Sequence, residues 1–132
     1  MKITGLAPLL EVFDMPTSLD FYSRVLEFGV VRNAGPPNDI GWALLRRDGF
    51  ELMLNTAYEL PERPASPDPK RVAAHADTTL YLSCPDVDAV FAHLQTQGLD
   101  VRPPTIAPYG MKQLYLRDPD GYALCFQWPA EA

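Results

Sequence analysis

The sequence predicts an α+β fold built from two paired βαβββ modules. Three observations predict it. The segment Arg47-Asp48-Gly49-Phe50-Glu51-Leu52-Met53-Leu54 is echoed by Asp120-Gly121-Tyr122-Ala123-Leu124-Cys125-Phe126, with Gly49 plus 72 landing on Gly121. The same offset carries Asp14 onto Asp86, each closing an apolar run and opening a helical pattern. In each copy an alternating strand pattern precedes that helix and more strand patterns follow it. Internal repetition of this kind implies a pseudo-twofold domain with equivalent positions in both halves.

The elements follow in order. Leu6 to Phe13 reads as a strand. Asp14 or Thr17 can cap the next helix, and Pro16 suits its first turn. Leu19, Tyr22, Val25 and Leu26 recur at helical spacing, Phe21 widens the stripe, and Gly29 is the expected stop. Val30 to Arg32 is a short strand and residues 35–39 a loop. Trp42 to Arg46 and Phe50 to Asn55 form a hairpin turning at Arg47-Asp48-Gly49.

Residues 57–76 break the pattern. Four prolines, Pro61, Pro64, Pro67 and Pro69, follow Leu60 within nine residues. Proline lacks the amide donor and fixes φ, so an extended connector is expected, one that can fold over a pocket mouth. The second copy begins with the strand Thr78 to Cys84. Val87, Val90, Phe91 and Leu94 line one face of its helix, which Gly98 ends, and Asp100 to Arg102 is a short strand. Lys112 to Arg117 and Tyr122 to Trp128 form the last hairpin. The organisation is module one over 1–56, connector over 57–76 and module two over 77–132.

At 132 residues the chain is expected to be one domain with a core that needs no disulfide or metal. No apolar run reaches the ~20 residues needed to span a bilayer. Met1 to Gly5 leads into a strand without an apolar signal segment, so a cytoplasmic location is expected. Net charge is −6 and Lys and Arg are scattered, which speaks against a nucleic-acid surface. Cys84 and Cys125 lie in strand-like contexts and read as reduced, buried thiols.

Alternation assigns the faces of the strands. Pro8, Leu10 and Val12 should meet the first helix, with Ala7, Leu9 and Glu11 opposite. Leu80, Leu82 and Cys84 should meet the second, with Thr79, Tyr81 and Ser83 opposite. In the hairpins, Glu51, Met53 and Asn55, and likewise Ala123, Cys125 and Gln127, take the face away from the helix. That second face mixes apolar and polar residues, the usual composition of a ligand pocket. The alternative is a plain interface between modules or subunits.

The run Val12 to Tyr22, then Leu26-Glu27-Phe28-Gly29, Asp86-Val87-Asp88-Ala89-Val90 and Arg117-Asp118-Pro119-Asp120-Gly121-Tyr122, resembles the vicinal oxygen chelate superfamily. That group includes glyoxalase I, extradiol dioxygenases, fosfomycin-resistance enzymes and bleomycin-resistance proteins. The resemblance covers essentially the whole chain and implies a half-barrel of paired modules. It implies function weakly, because one fold hosts many chemistries. Metal-dependent members of the superfamily hold a divalent ion with His, Glu or Gln on central strands. Those positions fall here on Ala7, on Glu51 or Met53, on Thr79 and on Cys125. This set lacks the roughly three protein ligands a catalytic metal needs. No cofactor is therefore expected, a divalent metal being the alternative. His75 and His93 do not supply the missing ligands.

The ending Leu124-Cys125-Phe126-Gln127 resembles the metal-free, bleomycin-resistance-like branch, whose homodimers sequester drug without chemistry. The expected function is small-molecule binding, antibiotic sequestration being one form. The candidate pocket residues are Trp42, Glu51, Met53, Tyr81, Tyr109, Cys125 and Gln127, suiting an aromatic or cationic ligand. The alternative is an enzyme of the same superfamily, a lyase, isomerase or dioxygenase, either metal-dependent or using Glu51 as a general base. Cys125 has no histidine at equivalent depth, which speaks against thiol catalysis.

Overall fold

The structure is a computed structural model describing residues 1–131. The described chain forms two compact units, one from Met1 to Pro67 and one from Asp68 onward. Each holds a four-stranded mixed sheet with helical segments, an α+β arrangement.

In the first unit β1 (Leu9–Val12) runs parallel to β4 (Phe50–Thr56). β3 (Trp42–Arg47) pairs antiparallel with β4 and with β2 (Gly29–Ala34), giving the order β1-β4-β3-β2. In the second unit β5 (Thr79–Ser83), β8 (Ala123–Pro129), β7 (Met111–Arg117) and β6 (Thr105–Ile106) repeat that order. The duplication extends to register. Leu9 pairs with Met53 and Tyr81 with Cys125, both members being shifted by 72.

The first helix begins as α1 (Met15–Leu19), with Asp14 accepting from the Thr17 backbone N–H at 3.1 Å. Asp86 caps α3 (Val87–Thr96) the same way, accepting from Ala89 N–H at 3.0 Å. The two helices then diverge. Asp20–Val25 continues α1 as a π-helical turn, in which the Leu26 N–H bonds the Phe21 carbonyl, five residues back. A π turn holds one residue more than an α turn.

That extra residue shifts the repeat by one. The left-handed residue closing the helical segment is Glu27 (φ 63) in the first unit and Gly98 (φ 81) in the second, 71 positions apart. The helix stop expected at Gly29 therefore falls on Glu27 instead. The offset stays at 71 through β3 and β7, since Trp42 pairs with Asn55 as Gln113 pairs with Gln127. The β7–β8 turn is one residue longer than the β3–β4 turn and restores 72.

The proline-rich stretch is not uniformly extended. It holds a 3-10 turn at Leu60–Glu62, then α2 (Pro69–Ala74) and a second 3-10 turn at His75–Asp77. Prolines are excluded from helix interiors but fit a first turn, where Pro61 and Pro69 stand. Asp68 caps α2 by accepting from Lys70 N–H at 3.0 Å.

Residues 68–77 are held on the β7–β8 turn. Arg71 bonds the buried Asp120 carboxylate at 3.2 Å. His75 stacks on Tyr122, with ring centroids 3.9 Å apart, and its Nδ1 lies 2.7 Å from the Asp120 carbonyl oxygen. Gly121 sits under Val72, where an added Cβ would meet the Val72 carbonyl oxygen at 2.6 Å.

The core side of each sheet matches the alternation. Leu10, Val12, Leu45, Leu52 and Leu54 are buried in the first unit with Tyr22 and Val25 of the helix. Leu114, Leu116 and Leu124 are buried in the second with Val87 and Leu94. Each such side chain contributes about 1.5–3 kcal/mol by leaving water. Among the described residues no helix is long and apolar enough to cross a membrane.

Candidate functional site

The face of each sheet away from its helix carries the candidate residues. In the first unit Leu9, Met53 and Leu44 form one cross-strand row, and Glu11, Asn55 and Trp42 form the next. Glu51 and Arg46 form a third. Trp42 thus shares the face that alternation gives to Glu51 and Met53. Their surroundings differ from an apolar cavity. Arg46 donates to Glu51 Oε2 from Nη2 at 2.6 Å and from Nε at 3.1 Å. Asn55 Nδ2 lies 3.3 Å from both Glu11 carboxylate oxygens. Both carboxylates on this face are therefore engaged by side-chain donors.

The second unit gathers the other four candidates. Tyr81, Cys125 and Tyr115 form the central row, and Ser83, Gln127 and Gln113 the next. The Tyr81 and Tyr115 hydroxyls are 3.3 Å apart. Gln113 Nε2 donates to Tyr109 Oη and to Gln127 Oε1, each at 2.9 Å. Gln113 is buried, which fixes Tyr109 and Gln127 from below, whereas the Tyr81 and Tyr115 rings stay about half exposed. The face offers two aromatic rings and an ordered amide–phenol chain.

The protonation states on this row follow from its contacts. The hydrogen bond with Tyr81, then burial, holds the Tyr115 phenol above the ordinary tyrosine range. Burial pushes the Cys125 thiol up, and the Tyr115 hydroxyl only partly opposes it. Both groups are neutral near pH 7, so the row presents aromatic surface and hydrogen-bonding groups without charge.

Gln113 and Tyr115 are absent from the residues singled out in the sequence, because β7 does not enter the alternation argument there. Shifting Trp42 by 71 lands on Gln113 and shifting Leu44 lands on Tyr115, so the repeat carries the signal once the π turn is known.

A cavity of about 800 Å³ adjoins this face between β7 and the segment Leu99–Pro103, with Gln113, Tyr115, Arg117 and Ala123 in its wall. A smaller one of about 440 Å³ lies in the first unit beside Phe13, Tyr58 and Arg63.

The positions where a divalent ion would be held lack a fitting donor set in each unit. Ala7 and Met53 offer no hard donor, and the Glu51 carboxylate is held by Arg46. Thr79 and the protonated Cys125 thiol are weak donors for such an ion. Among the described residues no group of three or more His, Cys, Asp or Glu is placed to hold a metal. The donor set does not fit the group. His75, stacked on Tyr122, is engaged elsewhere.

Comparison with known proteins agrees with the fold. TnmS3, an antibiotic binding protein from Streptomyces sp. CB03234, is similar with a TM-score of 0.70 at 25% identity, over 98% of this chain and 99% of that one. TioX from Micromonospora sp. ML1 is similar at TM-score 0.70 and 21% identity, over 93% and 98%. A glyoxalase/bleomycin resistance protein/dioxygenase from Nocardioides gives 0.73 at 18% identity, over 100% and 87%. No curated protein matches the sequence. The family model for Glyoxalase/Bleomycin resistance protein/Dioxygenase matches residues 6–126. The chain belongs to the glyoxalase/bleomycin resistance protein/dioxygenase superfamily.

Proposed function

We propose that this protein binds a flat aromatic small molecule on the mixed face of its second module, without a divalent metal. The observation that carries the reading is the Tyr81–Tyr115 and Tyr109–Gln113–Gln127 arrangement beside an 800 Å³ cavity. Two exposed rings supply stacking surface, and the amide–phenol chain supplies directional polar contacts. The unsuitable donors at Ala7, Met53, Thr79 and Cys125 support binding that needs no metal. The likeness to TnmS3, an antibiotic binding protein, supports an antibiotic as the ligand. A cytoplasmic homodimer is the working form in this proposal, with the half-exposed Leu9, Tyr81 and Tyr115 as surface for a second copy or the ligand to cover.

A cationic ligand is less well matched, because Arg46 and Asn55 occupy the Glu51 and Glu11 carboxylates. The same contact bears on the enzyme reading, since Arg46 holds Glu51 Oε2 and a general base there would act through Oε1 alone.

Melting curves of chelator-dialysed protein against a panel of aromatic antibiotics test the proposal. A ligand at a hundredfold its Kd adds about 2.7 kcal/mol, which corresponds to a rise on the order of 10 °C for a domain of this size. A panel without any saturable rise, or a rise seen only after divalent metal is restored, would overturn it.

A further inference from the structure

Among the differences between the two units are one charged cross-strand pair and the strand beside it. In the first unit Arg46 faces Glu51 and is neutralised by it. The equivalent pair in the second unit is Arg117 and Ala123, Arg46 plus 71 and Glu51 plus 72. The arginine is retained and its carboxylate is replaced by a methyl group. Arg117 donates from Nη1 to the Gly121 carbonyl oxygen at 3.0 Å, and among the described residues no carboxylate pairs with it. Its remaining donors are available.

The neighbouring strand is also changed. β2 pairs with β3 from Gly29 to Ala34. β6 keeps only Thr105 and Ile106, because Pro103 and Pro104 stand where Arg32 and Asn33 stand in β2. Proline has no N–H to give the ladder. The chain leaves the sheet, and the 800 Å³ cavity opens between β7 and residues 99–103. Arg102 and Arg117 both line it, with one carboxylate, Asp100. Tyr115 and Gln113 of the mixed face form the adjoining wall.

We infer that this cavity is an anion subsite, and that the ligand is an aromatic acid whose carboxylate or phenolate takes the place that Glu51 fills beside Arg46. The inference rests on the proposed binding function and names its ligand class. The ring lies against Tyr115, and the acidic group reaches Arg117 and Arg102. A guanidinium meets a planar oxyanion with two parallel hydrogen bonds, which a neutral ring cannot exploit.

Calorimetric titration with three probes of one shape tests it: 2-naphthoate, neutral 2-naphthalenemethanol and cationic 2-naphthylmethylammonium. The expected order puts 2-naphthoate on the order of tenfold or more ahead of the alcohol, with a preference that shrinks as salt rises. Arg117→Gln and Arg102→Gln should each reduce the preference for the acid over the alcohol. Arg102 is exposed, so its substitution leaves the fold intact. Ala123→Glu should abolish the preference by supplying the internal carboxylate. If the alcohol binds as tightly as the acid, the anion assignment falls while small-molecule binding stands. A preference that survives Arg102→Gln and Arg117→Gln together, or failure of 2-naphthoate to bind, also overturns it.

Discussion

Tyr81 meets Tyr115 hydroxyl to hydroxyl at 3.3 Å, across Cys125, which lies between them in the ladder. The arrangement leaves the two rings half exposed and the thiol buried. Cys84 is only half-buried. Thiolate is the reactive form, and burial raises the Cys125 pKa. Iodoacetamide at pH 8 should therefore label Cys84 first and Cys125 only after denaturation, as read by mass spectrometry of the native protein. Equal labelling of both would show that the tyrosine row is open down to the sheet.

Gly121 and Gly49 have nearly the same backbone angle, φ 87 and 86. They differ in what surrounds them. A Cβ at Gly49 meets open space, whereas at Gly121 it meets the Val72 carbonyl oxygen at 2.6 Å. Gly49→Ala should cost about 1 kcal/mol of left-handed strain. Gly121→Ala should cost about 2–4 kcal/mol, adding displacement of α2 to that strain. Urea unfolding of the two variants beside the parent protein checks the difference.

Asp14 caps α1 and bonds the Thr17 hydroxyl at 2.5 Å and Arg63 Nη1 at 2.7 Å. The Thr17 hydrogen bond lowers its pKa most, burial works the other way, and Arg63 adds to the lowering. A depressed folded-state pKa means the stabilisation is present above the unfolded value, about pH 4, and is lost as pH falls through the folded value. Asp14→Asn should therefore be destabilised at pH 6, and the gap to the parent protein should close toward pH 2. Denaturant melts at a series of pH values measure that gap.

Glu51→Gln separates two roles of one residue. The Arg46–Glu51 pair is partly exposed, so its loss should cost less than about 1 kcal/mol. Ligand affinity on the second module should stay unchanged, as titration with the ligand found by melting curves would read. A loss of turnover in this variant would instead support the enzyme reading.

Much of this was legible before the structure. The shared offset at Asp14 and Asp86 marks both helix caps, because a cap needs a particular side chain at a particular place. Alternation separates Leu52 and Leu54 from Glu51 and Met53, because the strand period is fixed at two. The π turn at Asp20–Val25 leaves no comparable signature, since an inserted residue preserves the apolar stripe. That hid the equivalence of Glu27 with Gly98 and of Trp42 with Gln113. Pro61 and Pro69 misled in the opposite direction, because a proline reads as a breaker from either end of a helix. The Arg46–Glu51 contact was hidden as well, because the β3–β4 register, which alternation alone leaves open, brings the two together.

The central claim is that the second module's face holds an aromatic ligand without a metal ion. Its most direct test is one calorimetric titration, run with the tightest aromatic ligand from the melting screen. The protein is titrated first in excess chelator and then in excess divalent ion. The account predicts saturable binding with the same Kd in both, weakened when Tyr115 is replaced by alanine. Binding that appears only with the metal, or that ignores Tyr115→Ala, would contradict it.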